Sequence, residues 1–317
     1  MRNLSKLRIA FHNVDFSSSS GPNAFCTRLA KELFAQDHVL VNPGDVCDID
    51  FINISTNSVC RGAKKIQRLD GIWTRGVQDN AANAPILHHY KTADHVIWQS
   101  EYDRKLISRF WFDRNGSIIR NGCFSPQKID LNLVAQIRNL ADVVFCASAS
   151  WHAQKRLEAN VQAMRKYAHQ TNKKCCLLVL GAPDKQISGS DVYYFSHASE
   201  DTCFSVYAAS DAMLHLAWRD HCPNAVVEAL ISNTPVICAS SGGTKELLVQ
   251  NSGVVIDDAQ DSMIDDLVFD FDKPPQIRID SFDLPKRNAF STTTYMIENV
   301  AKQYVSVMLG LLNEKTR

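Results

Sequence analysis

The sequence predicts an α/β protein built from two doubly wound domains. Short apolar runs such as LRIAFHNV, HVLV and IDFINIS alternate with longer amphipathic stretches such as AFCTRLAKELFAQ. The second half repeats the alternation with DVVFCAS, QKRLEANVQAMRKYAHQ and KCCLLVLGA. Such alternation is typical of parallel sheets covered by helices on both faces. The length of 317 residues also favours two domains, because single cores seldom grow beyond about 250 to 300 residues.

The domain boundary is predicted near NGCFSPQKIDLN, where Gly, Ser and Pro interrupt the hydrophobic periodicity. We therefore predict a first domain over residues 1–123 and a second over 124–317. A loop-rich stretch over 270–291 precedes an amphipathic helix, within about 292–317, whose apolar stripe comprises Met296, Val300, Tyr304, Met308 and Leu311.

Composition excludes several classes of protein. The formal net charge is +0, which argues against a surface built wholly for nucleic acid or membrane, although residues 1–123 carry 16 basic and 12 acidic residues. The 10 cysteines lie mostly in apolar segments and include no CxxC spacing, which indicates reduced thiols. We find no signal-peptide pattern and no transmembrane run. A cytoplasmic protein is expected, with peripheral membrane attachment left open.

The segment DHCPNAVVEALISNTPVICASSGGTKELL suggests an anion site. Pro223 is suited to a first helical turn, and the amides of Asn224, Ala225 and Val226 would lack carbonyl partners within the helix. With the helix dipole, such amides suit a diphosphate. Glu228, one turn further on, suits a ribose diol, and Asp220 in the preceding loop suits further hydroxyls. Two acids for hydroxyl groups, with backbone amides for a diphosphate between them, together match a nucleotide-sugar.

Each of these features also has an ordinary structural explanation. Asp220 could be a helix cap, Glu228 a solvated helix residue, and the Gly242-Gly243 pair a simple turn. The joint spacing favours the ligand-binding interpretation.

The same segment resembles the signature region of the family 4 retaining glycosyltransferases, which have the GT-B fold. The family pattern, Glu-x7-Glu followed by EA…G.PV…GG..E, is matched with Asp220 in place of the first Glu, Glu228 as the second, and PVICASSGGTKE through Glu246. SIIRNGCF, ADHVIWQSEYDRKLI, ASWHAQKRL and SSGPNAFCTRLAKEL resemble further family segments in the same order. The resemblance covers most of the chain and leaves the substrate open.

The resemblance implies two Rossmann-like domains facing a central cleft. The first would bind the acceptor, the second would bind the donor, and the final helix would return to the first domain. It also implies that Lys155 and Asp220 are catalytic and that Lys155 holds the donor diphosphate, with Arg156 beside it and Ser150 or His152 where the family usually has an Arg. Without the resemblance, Lys155-Arg156 would be interpreted as a solvated helix start. The implied donor-binding residues are Gly21, Ser150, His152, Lys155, Arg156, His197, Asp220, Cys222, Pro223, Asn224, Ala225, Val226 and Glu228.

The acceptor side is less clearly defined by the sequence. Asp70 and Arg75 follow a predicted strand, at the carboxyl end where ligands bind in open α/β sheets, and are our candidates for acceptor contacts. A basic group, which comprises Arg61, Lys64, Lys65 and Arg68, is better explained as a solvated helix face than as a binding patch. Asp48 and Asp50 have the spacing of metal-binding acids, but we interpret them as acids at the start of a strand. His88 and His89 are interpreted as a helix-surface pair, since no Cys or His lies at zinc spacing.

The resemblance implies transfer of a sugar, with retention of anomeric configuration, from a nucleotide-diphosphate sugar. UDP is the preferred nucleotide, and no cofactor or metal is expected. The acceptor, which could be a glycan, lipid, protein or nucleic acid, and the oligomeric state are left open. Two alternatives remain: a catalytically silent module that binds nucleotide-sugars or glycans, and a non-hydrolysing nucleotide-sugar epimerase.

Overall fold

A computed structural model describes residues 6–262, 267–287 and 290–314. The chain divides into two compact units. The first unit comprises Met1–Phe124, Leu267–Phe269 and Thr294–Arg317, and the second comprises Ser125–Asp266 and Asp270–Thr293. The two α/β units confirm the predicted fold class.

The first unit contains a parallel sheet of six strands in the order β2-β1-β3-β4-β5-β6. The strands are β1 (Arg8–His12), β2 (Val39–Val41), β3 (Cys47–Asn53), β4 (Gly62–Leu69), β5 (His95–Trp98) and β6 (Gly116–Ile118). The helices of this unit are α1 (Gly21–Ala35), α2 (Asn80–Thr92), α3 (Glu101–Phe110) and the C-terminal α9 (Ile297–Asn313). A 3₁₀ turn over Gly76–Asp79 leads into α2, and another over Thr293–Tyr295 precedes α9.

The C-terminal helix packs into the core of the first unit, as predicted. Val300, Tyr304 and Met308 are buried there, and the Tyr304 ring lies 6.1 Å from that of Phe25 in α1. A Cβ on Gly122 would lie 2.8 Å from a Val300 methyl group, so glycine permits this close approach. Burial of the apolar stripe, rather than helix propensity alone, stabilises this helix against the sheet.

The predicted helix at the basic group is wrong. The group lies in β4 and the turn before it, and Arg68 is a buried strand residue with only 1% exposure. Its guanidinium donates to Oδ1 of Asn121 at 2.7 Å and lies 4.4 Å above the Phe25 ring. Arg68 is therefore a core residue of the first unit and contributes no charge to the surface.

The second unit contains another parallel six-stranded sheet, in the order β12-β11-β10-β7-β8-β9. The strands are β7 (Val143–Ser148), β8 (Cys175–Leu180), β9 (Val192–Phe195), β10 (Ala212–His215), β11 (Val236–Ala239) and β12 (Gly253–Ile256). The helices are α4 (Leu131–Arg138), α5 (Leu157–Thr171), α6 (Glu200–Ala209), α7 (Asn224–Ile231) and the short α8 (Ala259–Ser262). Two 3₁₀ turns, Ala153–Lys155 and Thr244–Leu247, follow β7 and β11.

The sheet of the second unit is nearly all apolar because helices cover both of its faces. Phe145, Leu177 and Leu214 are fully buried in its core. Phe282, from the loop-rich stretch before α9, stacks on Tyr167 of α5 with ring centroids 5.4 Å apart. The loop-rich stretch thus covers part of this core.

All 10 cysteines are free thiols, and eight of them are buried, in agreement with the reduced state predicted from their apolar settings. Within the residues that the structure covers, no helix is both long and apolar enough to span a membrane.

Candidate functional site

The candidate site lies in the second unit, where the strand order changes direction. β7 and β10 are paired neighbours, with Phe145 opposite Ala212. The chain continues from β7 to β8 on one side, whereas β10 lies on the other side. The carboxyl ends of strands at such a switch point form the usual ligand crevice of an open α/β sheet. The loops after β7 and β10 carry Lys155 and Asp220.

Backbone contacts hold these two loops together. The Gln154 side chain donates to the Trp218 carbonyl at 3.0 Å, and the Trp218 amide donates to the Gln154 carbonyl at 2.9 Å. Arg156 and Arg219 both adopt positive φ values, 49° and 50°, which turn the chain sharply beside Lys155 and Asp220. These contacts bring the two charged side chains to one point.

Asp220 is the centre of a buried polar cluster. Its Oδ2 atom lies 2.6 Å from Nζ of Lys155 and 3.0 Å from Nε2 of His215, and its Oδ1 atom accepts from the His221 amide at 3.0 Å. Burial by itself raises the pKa of Asp220, but the Lys155 ammonium and the His215 hydrogen bond outweigh it and hold the pKa well below its usual range. The carboxylate is therefore ionised at neutral pH.

Gly242 and Gly243 place a third loop against Asp220. The Gly243 amide donates to the Asp220 carbonyl at 2.7 Å. Gly242 has a φ of +81°, and a Cβ there would lie 2.6 Å from the Asp220 carbonyl oxygen. Only glycine fits this conformation and this approach without strain. The pair is therefore part of the support for Asp220 rather than an isolated turn.

Helix α7 starts beside this cluster, with Pro223 as its N-terminal cap residue. The Val226 amide, which we expected to be available to a ligand, donates instead to the Pro223 carbonyl at 3.2 Å. This part of the prediction is wrong, because the first turn closes on its cap residue. Asn224 and Ala225 are the first two helical residues, and both are partly exposed.

Glu228 lies one turn further along α7 and is half-buried. The Tyr207 hydroxyl of α6 donates to its Oε2 atom at 3.4 Å. The Tyr207 ring is fully buried, so this contact ties the Glu228 carboxylate to a fixed point in the core. Glu228 is thus not the freely solvated helix residue of the alternative interpretation.

The structure corrects the prediction for Arg156. Its NH1 atom lies 2.7 Å from Oδ2 of Asp258, its NH2 atom donates to the Pro275 carbonyl at 2.7 Å, and the residue is only 6% exposed. Ser241 donates to the same Asp258 oxygen at 2.8 Å. A guanidinium engaged in this way is a structural element that links three segments. It is neither a solvated residue nor one turned towards a diphosphate.

The other predicted donor residues have varied settings. Ser150, His152 and His197 are exposed in loops after β7 and β9, and Cys222 is buried between Asp220 and α7. In the first unit, Gly21 is the exposed first residue of α1, and no heavy atom lies within 4 Å of where its Cβ would be. Packing within the described structure therefore does not require glycine at that position.

The two predicted acceptor residues lie after β4 in the first unit. Asp70 directly follows the strand and is half-buried. Arg75 is exposed, with its NH2 atom 3.1 Å from Oδ1 of the buried Asp79. Neighbouring Trp73 has an exposed side chain, while its backbone amide and carbonyl are both held by Asn83.

Sequence reasoning missed His215, which is 4% exposed and contacts the central carboxylate. A signal for it was present, because His215 ends the apolar run AMLH, and the last residue of a parallel strand faces the ligand edge of the sheet. Gln154, which connects the two loops, had no comparable signal in the sequence.

Comparisons with known proteins show what the chain is similar to. Residues 141–268 match the family model described as Glycosyl transferases group 1, a stretch that contains Lys155, Asp220 and Glu228. No curated protein matches the sequence significantly. The structure resembles HepE of Anabaena, solved in complex with UDP-glucose, with a TM-score of 0.66 and 12% identity over 96% of this chain and 99% of HepE.

Two further solved structures share the architecture. A glycosyltransferase from Rickettsia africae has a TM-score of 0.64 and 11% identity over 98% of this chain and 100% of its own. Sucrose-phosphate synthase from Thermosynechococcus elongatus has a TM-score of 0.58 and 14% identity over 96% of both chains. The chain has the GT-B fold. The resemblance to group 1 glycosyltransferases is confirmed over residues 141–268, nearly all of which lie in the second unit.

Proposed function

We propose that the protein is a glycosyltransferase that moves a sugar from a nucleotide-diphosphate sugar to an acceptor. The observation that carries this proposal is the Lys155–Asp220 pair beside the start of α7, at the switch point of the second sheet. A diphosphate at this position would meet an ammonium and the positive end of a helix dipole. UDP is the proposed nucleotide, supported by the UDP-glucose bound to HepE.

In this proposal Lys155 neutralises the departing diphosphate, and the amides of Asn224 and Ala225 add hydrogen bonds to it. Asp220 orients the ammonium, since their atoms are 2.6 Å apart. Glu228, fixed by Tyr207, accepts hydrogen bonds from the ribose hydroxyls. Such preorganised groups act by positioning and by stabilising charge that develops in the transition state.

We further propose that the transfer retains the anomeric configuration. The bond between the anomeric carbon and the phosphate oxygen breaks, the acceptor oxygen attacks from the same face, and its proton passes to the departing phosphate oxygen. This route uses no protein nucleophile and no metal ion. Product NMR tests the first statement, and an inverted anomer would overturn it. An assay with and without added Mg²⁺ or Mn²⁺, on protein shown to be folded, tests the second, and turnover only with the added ion would overturn it.

The proposed division of labour assigns the donor to the second unit and the acceptor to the first, with Gly21 near the donor phosphates and Asp70 and Arg75 near the acceptor. The exposed residues Ser150, His152 and His197 are proposed as outer contacts of the donor, and Cys222 and Pro223 as its neighbours in the loop before α7. We also propose a cytoplasmic location, because the cysteines of the chain are free thiols.

The first experiment incubates the wild type and Glu228→Ala with a panel of nucleotide-sugars and measures thermal stabilisation and released nucleotide. Glu158→Ala, at an exposed position of α5, is the control. We expect one nucleotide-sugar to raise the Tm of the wild type and of the control, and both proteins to hydrolyse it slowly. Glu228→Ala should show neither effect. Stabilisation without release, even with a broad acceptor panel, would favour the silent module. A free, epimerised nucleotide-sugar formed without acceptor would favour the epimerase.

A further inference from the structure

A second polar cluster lies in the first unit, beneath the connection between β3 and β4. Among the described residues, one group of His, Cys and acidic side chains brings its ligand atoms within 4.8 Å of one another. Its members are His12, Asp50 and Cys60, which come from the end of β1, the middle of β3 and the turn before β4. None of them belongs to the site proposed for the nucleotide-sugar.

His12 and Asp50 form the buried floor of this cluster. Both are 0% exposed, and Nε2 of His12 lies 2.7 Å from Oδ1 of Asp50. The other carboxylate oxygen accepts from the Gly62 amide at 2.6 Å, which fixes the orientation of the carboxylate. Nδ1 of His12 is buried and has no hydrogen-bond partner. Nε2, and not Nδ1, is therefore the ring nitrogen that faces the carboxylate.

Two thiols complete the surroundings of Asp50. Cys60 is partly exposed and gives the cluster a route to solvent. Cys47 is buried, and its Sγ atom lies 3.6 Å from the same Asp50 oxygen that contacts His12. Imidazole, carboxylate and thiol groups therefore converge from separate chain segments.

We propose that His12, Asp50 and Cys60 bind a structural Zn²⁺ ion. Nitrogen, oxygen and thiolate sulfur are the three ligand types that Zn²⁺ takes in proteins, and sites with three protein ligands hold the ion with water in the fourth position. On binding, the Cys60 thiol proton passes to solvent, and His12 coordinates through Nε2 as the neutral imidazole with its proton on Nδ1. The Gly62 amide supports the carboxylate from outside the coordination shell.

The position of the cluster indicates what the ion would do. The β3–β4 connection crosses over the sheet without a helix, although parallel strands are usually joined through one. It begins at Ile54 with a φ of 68°, a strained value for a β-branched residue. Zn²⁺ would fasten the end of this connection to β1 and β3. The ion would then stabilise the first unit, because its binding energy adds to folding.

The test uses the full chain, stripped of metal with a chelator, and titrated with Zn²⁺ and with Co²⁺ as a spectroscopic substitute. We expect Zn²⁺ to raise the Tm and Co²⁺ to give thiolate charge-transfer absorption in the near ultraviolet. Cys60→Ser should abolish that absorption and weaken Co²⁺ binding by about tenfold or more, while retaining the fold by circular dichroism. Cys203→Ser, at another partly exposed cysteine, is the matched control.

A wild type that shows no thiolate absorption with Co²⁺ would overturn the proposal. Equal binding by Cys60→Ser and the wild type would also overturn it. Both readouts are independent of nucleotide-sugar turnover, so the outcome does not depend on the proposed function.

Discussion

The Nζ atom of Lys155 lies 2.6 Å from Oδ2 of Asp220, and both side chains are more than four-fifths buried. Two loops that follow neighbouring strands thus deliver opposite charges to one point at the carboxyl edge of a parallel sheet. A buried pair of this kind is costly to break, because one partner then remains charged in a medium of low dielectric constant. The pair is therefore a structural element, and its Lys155 ammonium is the group that we propose meets the diphosphate.

Replacing Lys155 with Met should lower the free energy of unfolding by about 3 kcal/mol, because the Asp220 carboxylate loses its cation. Urea unfolding at neutral pH measures this change. The double variant Lys155→Met/Asp220→Asn should recover part of the loss, since the uncompensated charge is gone. Equal stability of the wild type and Lys155→Met would contradict the structure at this point.

The contribution of Asp220 to stability should depend on pH in one direction. Its pKa is lowered in the folded protein, since Lys155 and His215 outweigh the effect of burial, whereas an unfolded Asp titrates near about 3.9. Stability from this group is therefore complete above about pH 4 and is lost as the pH falls from there towards the folded pKa. The unfolding free energies of the wild type and Asp220→Asn should converge below about pH 4. A constant difference from pH 7 to 3 would argue against this assignment.

Arg156→Gln should destabilise the protein by about 3 kcal/mol without changing the Kd for UDP measured below the unfolding transition. The reason is that the guanidinium pairs with Asp258 in the interior and does not turn towards the proposed diphosphate. Calorimetric titration with UDP and thermal unfolding separate the two effects. A large increase in Kd with unchanged stability would restore Arg156 to the donor site.

Gly21→Ala provides a test of the first-unit loop. No atom would contact the added methyl group, so folding stability should stay within about 0.5 kcal/mol of the wild type. Gly310→Ala in α9 is the matched control, since its Cβ also meets no atom within 4 Å. If the loop approaches the donor closely, only Gly21→Ala should slow turnover. Equal turnover in the two variants would remove Gly21 from the site.

Much of the fold could be predicted because hydrophobic periodicity is a local property. The alternation of strands and helices and the apolar stripe of α9 needed only neighbouring residues. The basic residues before Leu69 were misinterpreted as a helix face, because charged side chains are usually exposed to solvent. Arg68 is instead buried and hydrogen-bonded inside the first unit. That pairing depends on Asn121, which is distant in sequence.

The candidate site could likewise be predicted only where its residues are close together in the sequence. Asp220, Pro223 and Glu228 lie in one continuous segment, so their spacing was visible in the sequence. The burial of Arg156 depends on Asp258 and Pro275, about a hundred residues away, and no local pattern reveals such a pairing. His215 is close to Asp220 in sequence, but its role becomes clear only once the strand end and the loop face each other.

The most direct test of the central claim is the Kd of UDP for the wild type, for Lys155→Ala and for Lys174→Ala, an exposed lysine of the same unit. Each variant is first shown to be folded at the temperature of titration. We predict that Lys155→Ala weakens binding about tenfold or more, as expected for the loss of a charged contact to phosphate, and that Lys174→Ala binds like the wild type. Equal Kd values for Lys155→Ala and the wild type would contradict the account and place the nucleotide elsewhere.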